Sequence, residues 1–260
     1  MLFETLKYEN DKNLAILTLS RENRLNAISR QMIAELKNAF DIFESDQNSN
    51  VLIITGLGRA FSAGADIKER AENAEDISVQ RTSILISPLF RRIETSDKVI
   101  IAAVNGPAFG GGCELAMACD LRIASTAASF ALPEGKLGIL PGAGGTQRLP
   151  RLIGISRSKE LMLTGSSVDA YRALDWGLIN FLVSPEELIE EAVELAVKIS
   201  QMAPRSLTLM KHAINRSQDL DIDAGLEYEQ RCSEIVAQSD DRREGYLAFV
   251  EKRKPIFTGR

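Results

Sequence analysis

Short apolar runs rich in β-branched residues alternate with segments of helical periodicity along the first half of the chain. Each run ends at turn residues, as buried strands do. The predicted strands are LAILTLS (14–20), VLIITG (51–56), VIIAAVNG (99–106), DLRIAS (120–125) and ASFAL (128–132). Apolar residues at helical spacing from Met32 to Phe43 predict a helix with Ser29 as N-cap, and segment 76–96 predicts another, kinked at Pro88. This alternation is typical of an α/β protein.

From about Ser156 the strands mostly stop and helical patterns follow. The segment 184–200 opens with a capping box, in which Ser184 is the cap, Pro185 is the first helical residue and Glu187 is the third. Further helices are predicted at 204–217, 223–238 and 240–254. We therefore expect an α/β core over residues 1–200 and a helical C-terminal region over 201–260. No Gly/Ser-rich linker separates them, so the helices should pack on the core or on another subunit.

The composition of the chain indicates which kinds of binding partner are expected. The chain has 260 residues, 45% of them hydrophobic, which is enough for a sizeable core. Its net charge of −5 gives no basic field that would favour nucleic acid or a membrane. The basic segment 251–260 is either a phosphate contact or a solvated chain end. Three cysteines without C-x-x-C spacing are typical of small buried residues in a reducing compartment.

The N-terminal segment carries acids and has no long apolar stretch, so we do not expect it to be a signal peptide. No run reaches the roughly 18 apolar residues of a membrane span. We expect a cytoplasmic protein that binds neither nucleic acid nor membrane.

Several kinds of catalysis do not fit the sequence. The single histidine, His212, lies within a predicted helix and is expected on its surface, which argues against a Ser–His–Asp triad. The segment AFSAG (60–64) lacks the first glycine of a nucleophile elbow. No His/Cys cluster indicates a metal, and GLGRAF (56–61) and GPAFGGG (106–112) depart from the dinucleotide and phosphate-binding motifs. We expect neither metal nor cofactor.

Two glycine-containing loops follow predicted strands, GRAFSAGADIKE (58–69) and NGPAFGGGCE (105–114). Small residues allow the backbone to approach a ligand closely, and a helix that follows leaves its first N–H groups unpaired. Two such loops side by side could direct two N–H donors at one oxygen, as in an oxyanion hole. The alternative is that both are only tight strand-to-helix turns.

Two carboxylates lie in apolar surroundings. Glu114 is one turn into the helix after the glycines, and Glu134 directly follows Pro133. Each could be a buried structural acid. Together they suggest an acid/base pair, because two close carboxyls raise the pKa of one of them.

These motifs together resemble the enoyl-CoA hydratase (crotonase) family over nearly the whole chain. The segments that carry the resemblance are 58–69, VNGPAFGGGCELAMACDLRIAS (104–125), FALPEGKLGILPGAGGTQRLPR (130–151), LTGSSVDAYRALDWGLIN (163–180) and DDRREGYLAFVEKRK (240–254). The resemblance implies a spiral of repeated ββα units with a helical C-terminal region that builds trimers, usually paired into hexamers.

The resemblance also implies a site and an activity: hydration of a trans-2-enoyl-CoA in fatty-acid or branched-chain acyl-CoA degradation. Glu114 and Glu134 match the two catalytic glutamates, with Glu114 as base and Glu134 as acid. The N–H groups of Ala63 and Gly111 would form the oxyanion hole for the thioester. The residues expected to contact substrate or coenzyme A are Arg24, Leu25, Ala27, Ala63, Gly64, Ala65, Asp66, Ile67, Lys68, Gly110, Gly111, Pro133, Gly142 and, for a neighbouring subunit's coenzyme A, Phe249 and Lys252.

Three positions bear on substrate choice. Leu132 stands where family hydratases often carry glutamine, and Phe109 is bulky enough to shorten the acyl pocket. Lys136 is similar to a position in 3-methylglutaconyl-CoA hydratases, where a cation could meet a second carboxylate. The alternatives are therefore hydration of that branched substrate, double-bond isomerisation, or an RNA-binding or non-catalytic oligomer.

Overall fold

The computed structural model describes residues 3–11, 13–73, 75 and 82–260. Residues 76–81 of the predicted second helix lie outside this part. The strands are β1 Leu6–Asp11, β2 Leu14–Leu19, β3 Val51–Gly56, β4 Val99–Val104, β5 Ala108–Phe109, β6 Leu121–Ser125, β7 Ser129–Ala131, β8 Ser167–Asp169 and β9 Phe181–Val183. The α-helices are α1 Arg30–Ser45, α2 Ile67–Glu72, α3 Thr82–Thr95, α4 Gly111–Ala118, α5 Gly145–Ile153, α6 Ile155–Thr164, α7 Ala170–Asp175, α8 Leu188–Ser200, α9 Pro204–Arg216, α10 Ile222–Ala237 and α11 Asp240–Glu251.

The main sheet has six strands in the order β1-β2-β3-β4-β6-β9, and a smaller sheet has the order β5-β7-β8. In the main sheet only the β1–β2 pair is antiparallel. Strands β3 and β4 are buried along almost their full length, which is why they read as continuous apolar runs in the sequence.

Alternate residues of the central strands enter two cores. Leu52 and Ile54 of β3 pack in the larger core, which also contains Phe40 of α1. Ile53, which points to the opposite face, packs with Ala192 of α8. The sheet is therefore covered on both sides, and α8 closes the second face.

The chain repeats one local path: a strand of the main sheet, a short strand or bridge, then a helix. β4 is followed by β5 and α4, and β6 by β7 and α5. After β3 the short strand is reduced to a bridge between Ser62 and Ala108, and α2 follows. These are the ββα units of the expected α/β spiral, and they bring the loops after β3 and β4 to the same side of the molecule.

The predicted strands of the first half are all confirmed, and Ser29 caps α1 by accepting a hydrogen bond from the Met32 N–H at 3.2 Å. The predicted start of α8 is wrong. The Ser184 hydroxyl donates to the Glu187 carboxylate at 2.6 Å instead of accepting from the Glu187 N–H. Without that cap residues 185–187 form a turn, and the helix begins at Leu188.

The C-terminal helices pack on the core through polar contacts of α9. Lys211 Nζ lies 2.8 Å from Asp120 Oδ2, and Thr208 Oγ1 donates to Asp97 O at 2.6 Å. His212 also lies on α9, partly exposed as expected, with Nε2 3.3 Å from Asp97 Oδ1. All three cysteines are free and buried. A division at residue 200 stays a prediction. Within the described residues no helix combines the length and apolar character needed to cross a membrane.

Candidate active site

The two glycine-containing loops lie side by side, joined by a short β-bridge. The Ser62 N–H donates to Pro107 O at 3.1 Å, and the Phe109 N–H donates to Ser62 O at 2.9 Å. A helix follows each loop, α2 after the first and α4 after the second. The predicted juxtaposition of two loops with following helices is therefore present.

The donor assigned on the first loop needs correction. The Ala63 N–H already donates to Leu25 O at 2.9 Å, so it is not available to a ligand. The N–H of Ala65 has no acceptor among the described residues, and a methyl group on Gly111 would lie 3.7 Å from the Ala65 nitrogen. Gly111 is the first residue of α4, and its N–H has no partner within the helix. Among the described residues, the two neighbouring N–H groups without an acceptor are thus those of Ala65 and Gly111.

Glycine occupies each of the three consecutive positions for a different physical reason. Gly110 has φ +51° and ψ −124°, a conformation that glycine adopts without strain. A side chain on Gly112 would overlap the carbonyl oxygen of Ser62, so this glycine permits close packing of the loops. Gly111 is different, because a methyl group there would make ordinary contacts, the nearest at 3.6 Å to Ile28 Cδ1. Glycine at 111 is therefore not required by the fold.

A cavity of about 540 Å³ opens beside these loops. Ala65 and Gly111 lie in its wall together with the two acids, Glu114 and Glu134. Much of the remaining wall is aliphatic and comes from Ile28, Ile67, Ile86, Leu137, Ile139 and Leu140. A site with a few converging polar groups in an apolar cavity is the usual form of a small-molecule site.

Glu114 is buried, with 3% of its surface exposed. Its Oε1 accepts hydrogen bonds from the N–H groups of Ala143 and Gly145, both at 2.8 Å. Burial raises the pKa of Glu114, while the two hydrogen bonds and the positive charge of Arg148 act in the opposite direction. These contacts favour the ionised carboxylate against the cost of burial.

Glu134 begins a short 3-10 helix, Glu134–Leu137. Burial, and to a smaller extent the charge of Glu114, raise the pKa of Glu134 to about 7. Its Oε2 is buried and has no hydrogen-bond partner among the described residues. The two carboxyls thus interact but differ in environment, since Glu114 accepts from the N–H groups of two other residues, whereas Glu134 is held by its own backbone N–H. Such a difference separates a base from an acid.

The remaining predicted contacts divide by position. Those in the cavity wall besides the acids are Ala63, Ala65, Ile67, Gly110, Gly111, Pro133 and Gly142. Those outside the wall are the exposed Arg24, Lys68, Phe249 and Lys252, the partly buried Leu25, and the buried Ala27 and Gly64. Asp66 is buried, forms an ion pair with Arg21 at 2.9 Å and caps α2 through the Glu69 N–H, so its carboxylate supports the loop.

The three residues noted for substrate choice lie apart from the apolar wall. Leu132 is buried, and Phe109 is partly buried in β5. Lys136 is exposed and absent from the cavity wall, and its side chain lies beside Gly165. Its ammonium group is therefore not placed to meet a carboxylate in this cavity.

A larger cavity of about 890 Å³ lies between the core and α9. It contains neither Glu114 nor Glu134, and the Lys211 and Asp120 side chains in its wall are paired with each other. Uncommitted acid/base groups are thus concentrated in the smaller cavity, which we take as the candidate active site. No group of three or more potential metal-ligating side chains occurs in the described ranges.

Arg148 of α5 was not among the predicted site residues, although it lines the larger cavity and donates to Ala143 O in the wall of the smaller one. It is within the segment GTQRLPR, but an arginine on an amphipathic helix carries no signal that distinguishes it from a surface charge. Its contacts form only in the folded chain.

Comparison with known proteins agrees with the geometry. The enoyl-CoA hydratase/isomerase family model matches residues 9–260. A short-chain-enoyl-CoA hydratase of Clostridium acetobutylicum is 43% identical over 95% of this chain and 94% of its own. A crotonyl-CoA hydratase of Syntrophomonas wolfei is 41% identical over 99% of both chains. The crystal structure of an enoyl-CoA hydratase from Bacillus anthracis matches with a TM-score of 0.95 at 40% identity, covering 99% of this chain and all of that one.

Proposed function

The chain belongs to the enoyl-CoA hydratase/isomerase family, and from this premise we propose that it adds water reversibly to a trans-2-enoyl-CoA to give a 3-hydroxyacyl-CoA. The observation that carries the proposal is the pair of buried acids, Glu114 and Glu134, in one apolar cavity beside two N–H groups that have no acceptor in the described part of the chain. Two of the relatives, a short-chain-enoyl-CoA hydratase and a crotonyl-CoA hydratase, favour a short acyl chain for this protein.

In this proposal the thioester oxygen accepts hydrogen bonds from the N–H groups of Ala65 and Gly111. Negative charge develops on that oxygen when the hydroxyl adds to the β-carbon, and preorganised donors stabilise it. Loss of one such donor typically costs about 3–4 kcal/mol of transition-state stabilisation. Gly111 also begins α4, so the positive end of the helix dipole acts in the same direction.

The environments of the acids support their roles. Ionised Glu114 takes a proton from water, and the resulting hydroxyl forms the C–O bond at the β-carbon. Protonated Glu134 gives its proton to the α-carbon, and the electron pair of the double bond forms that C–H bond. The product has gained one hydroxyl and one hydrogen, and the two carboxyls recover their starting states by exchanging one proton through solvent. Neither metal nor cofactor enters these steps.

Coenzyme A would lie along the exposed edge of the first loop, near Arg24 and Lys68. We propose that the exposed Phe249 and Lys252, at the end of α11, reach the coenzyme A of a neighbouring subunit in a trimer or a dimer of trimers. The exposed faces of the C-terminal helices support such an assembly, since Phe249 is 86% and Val250 is 77% exposed. We also propose a cytoplasmic location.

The direct test is the absorbance of the conjugated enoyl thioester on mixing purified protein with crotonyl-CoA. We expect the absorbance to fall and 3-hydroxybutyryl-CoA to form. A protein that leaves crotonyl-CoA unchanged at any concentration contradicts the proposal. A 3-enoyl-CoA assayed in parallel detects isomerase activity, and 3-methylglutaconyl-CoA is expected to be the poorer hydratase substrate because Lys136 lies outside the cavity wall.

The pH dependence of kcat/KM should be bell-shaped. Glu134 must be protonated to act as acid, so activity should fall as pH rises through about 7, the raised pKa of this residue. Glu114 must be ionised to act as base, so activity should fall on the acid side, at a pH above the ordinary glutamate range because burial raises its pKa. Steady-state rates with crotonyl-CoA from about pH 5 to 9 measure both limbs. A rate that stays constant from about pH 6 to 9 contradicts the acid role of Glu134.

A further inference from the structure

The guanidinium of Arg148 is tied to the backbone that holds Glu114. Its Nη1 donates to Ala143 O at 2.7 Å, and its Nη2 donates to Glu94 Oε2 at 3.0 Å. Ala143 is also one of the two residues whose N–H groups bind Glu114 Oε1. A continuous chain of contacts therefore runs from Glu94 on α3, through Arg148 on α5 and residue 143, to the Glu114 carboxylate.

The same guanidinium brings a charge to this region. The Arg148 side chain is only 11% exposed, and its Nε is buried without an acceptor among the described residues. One nearby carboxylate, Glu94, is shared between Arg148 and the more exposed Arg91. The positive charge of Arg148 is thus incompletely compensated, and a charge in low-dielectric surroundings is felt over a longer distance than in water.

The other titratable groups near Glu114 come from four elements, and one of them, Arg70 of α2, lines the same cavity wall. Glu134 of the 3-10 helix is the second acid of the cavity, and the charge of Glu114 raises its pKa. Cys113 of α4 is fully buried, and burial raises the pKa of its thiol, which stays neutral. Glu94 faces Arg148 from α3. The charge that lowers the pKa of Glu114, and so favours its ionised form, is that of Arg148.

We propose that Arg148 is a positioning residue for the hydration reaction: it fixes the backbone at residues 143–145 under Glu114 and keeps a positive charge behind that carboxylate. The inference rests on the proposed function. Arg148 does not line the smaller cavity, so it acts through Glu114 and does not touch substrate. Its effects on geometry and on charge can be separated, because different substitutions of Arg148 remove one effect or both.

Arg148→Met removes both effects. We expect kcat for crotonyl-CoA to fall about tenfold or more, since small displacements of a catalytic group are costly. The acid limb of the pH profile should move to higher pH, because Glu114 loses the charge that opposes the effect of burial. KM should change little. Arg148→Lys keeps the charge but lacks the planar fork that bonds two acceptors, so kcat should fall while the acid limb stays near its original position.

Two further variants act as controls. Arg91→Met removes the other, more exposed arginine paired with Glu94 but does not touch residues 143–145, so kcat should be unchanged and the acid limb should move less than in Arg148→Met. Glu94→Gln keeps an acceptor for Arg148 and removes a negative charge, so the acid limb should move to lower pH. If Arg148→Met does not fold, the two other variants still decide the proposal. The acid limb should move to lower pH in Glu94→Gln and should not move in Arg148→Lys.

A readout independent of turnover separates this inference from the proposed function. The side-chain carboxyl carbon of Glu114, labelled with ¹³C and identified by its loss in Glu114→Gln, should titrate at higher pH in Arg148→Met than in the unsubstituted protein. An unchanged titration, or an equal loss of activity in Arg91→Met, overturns the inference. If the unsubstituted protein does not hydrate crotonyl-CoA, the proposed function fails, and the titration alone decides whether Arg148 controls Glu114.

Discussion

Glu114→Gln and Glu134→Gln are each expected to lower the turnover of crotonyl-CoA by several hundredfold, with little change in the affinity for the coenzyme A product. General acid or base catalysis typically contributes 10²–10⁴-fold, and glutamine has the shape of glutamate without its proton chemistry. In the Glu114→Gln variant the amide oxygen can still accept from the Ala143 and Gly145 N–H groups, so the backbone around it should hold. Initial rates and a product-binding titration on each variant measure the two quantities.

An exposed glutamate provides the matched control. Glu190 lies on the solvent side of α8, and Glu190→Gln should turn over like the unsubstituted protein. Near-native turnover in either cavity variant would make that residue a structural acid and would end the pair assignment. A loss of product affinity as large as the loss of turnover would indicate a binding role instead.

The second large effect is expected from valine at two adjacent glycines. Gly111→Val should fold and lose acyl-CoA binding and turnover together, by about a hundredfold or more, because its branches would extend toward Ile28 and the Ala65 N–H in the cavity. Gly112→Val should instead lose stability, since its side chain would overlap the Ser62 carbonyl. Overpacking of this kind costs about 3 kcal/mol, which corresponds to a fall in Tm of roughly 6–12 °C in a domain near this size.

Thermal unfolding measured beside a coenzyme A-binding titration separates the two variants. Each serves as the control for the other, because the substitution is the same and the positions are neighbours. A folded Gly111→Val protein with normal acyl-CoA affinity would mean that the thioester lies elsewhere. Equal destabilisation of both variants would mean that glycine at 111 is needed only for the fold and not for substrate binding.

The central strands were predictable because they are buried on both faces. Val51–Gly56 was predicted to the residue, and its apolar run reflects two cores that each take alternate side chains. Strand β1, in contrast, was missed. It is an edge strand in which only Leu6 is buried, so no apolar pattern marks it. Strands β5 and β8, of two and three residues, were also missed. In β8 only Val168 is buried, so no apolar run marks it as one marks the equally short β7.

The site was predictable in its chemistry but not in its contacts. The sequence predicted that Glu114 and Glu134 would share one site with the glycine loops, and both line the cavity. It could not tell Ala63 from Ala65 as the donor. That choice depends on which N–H is already bonded to Leu25 O, and the Leu25 carbonyl comes from a distant part of the chain that only folding brings near. The role proposed for Arg148 depends equally on a carbonyl and a carboxylate that meet only in the fold.

The bridge between Ser62 and Ala108 holds the two donor loops in a fixed position relative to each other. Ser62 is fully buried, and its hydroxyl also donates to Asn26 O at 2.8 Å and accepts from the Gly64 N–H at 3.2 Å. One loop cannot move away from the other without breaking the two backbone hydrogen bonds of the bridge, and Ser62 is itself held in place by its hydroxyl. The proposed site for the thioester oxygen is therefore already formed before a ligand binds, and little backbone entropy should be lost on binding. The free energy gained from contacts with the substrate then contributes to the binding affinity, because little of it is needed to order the loops.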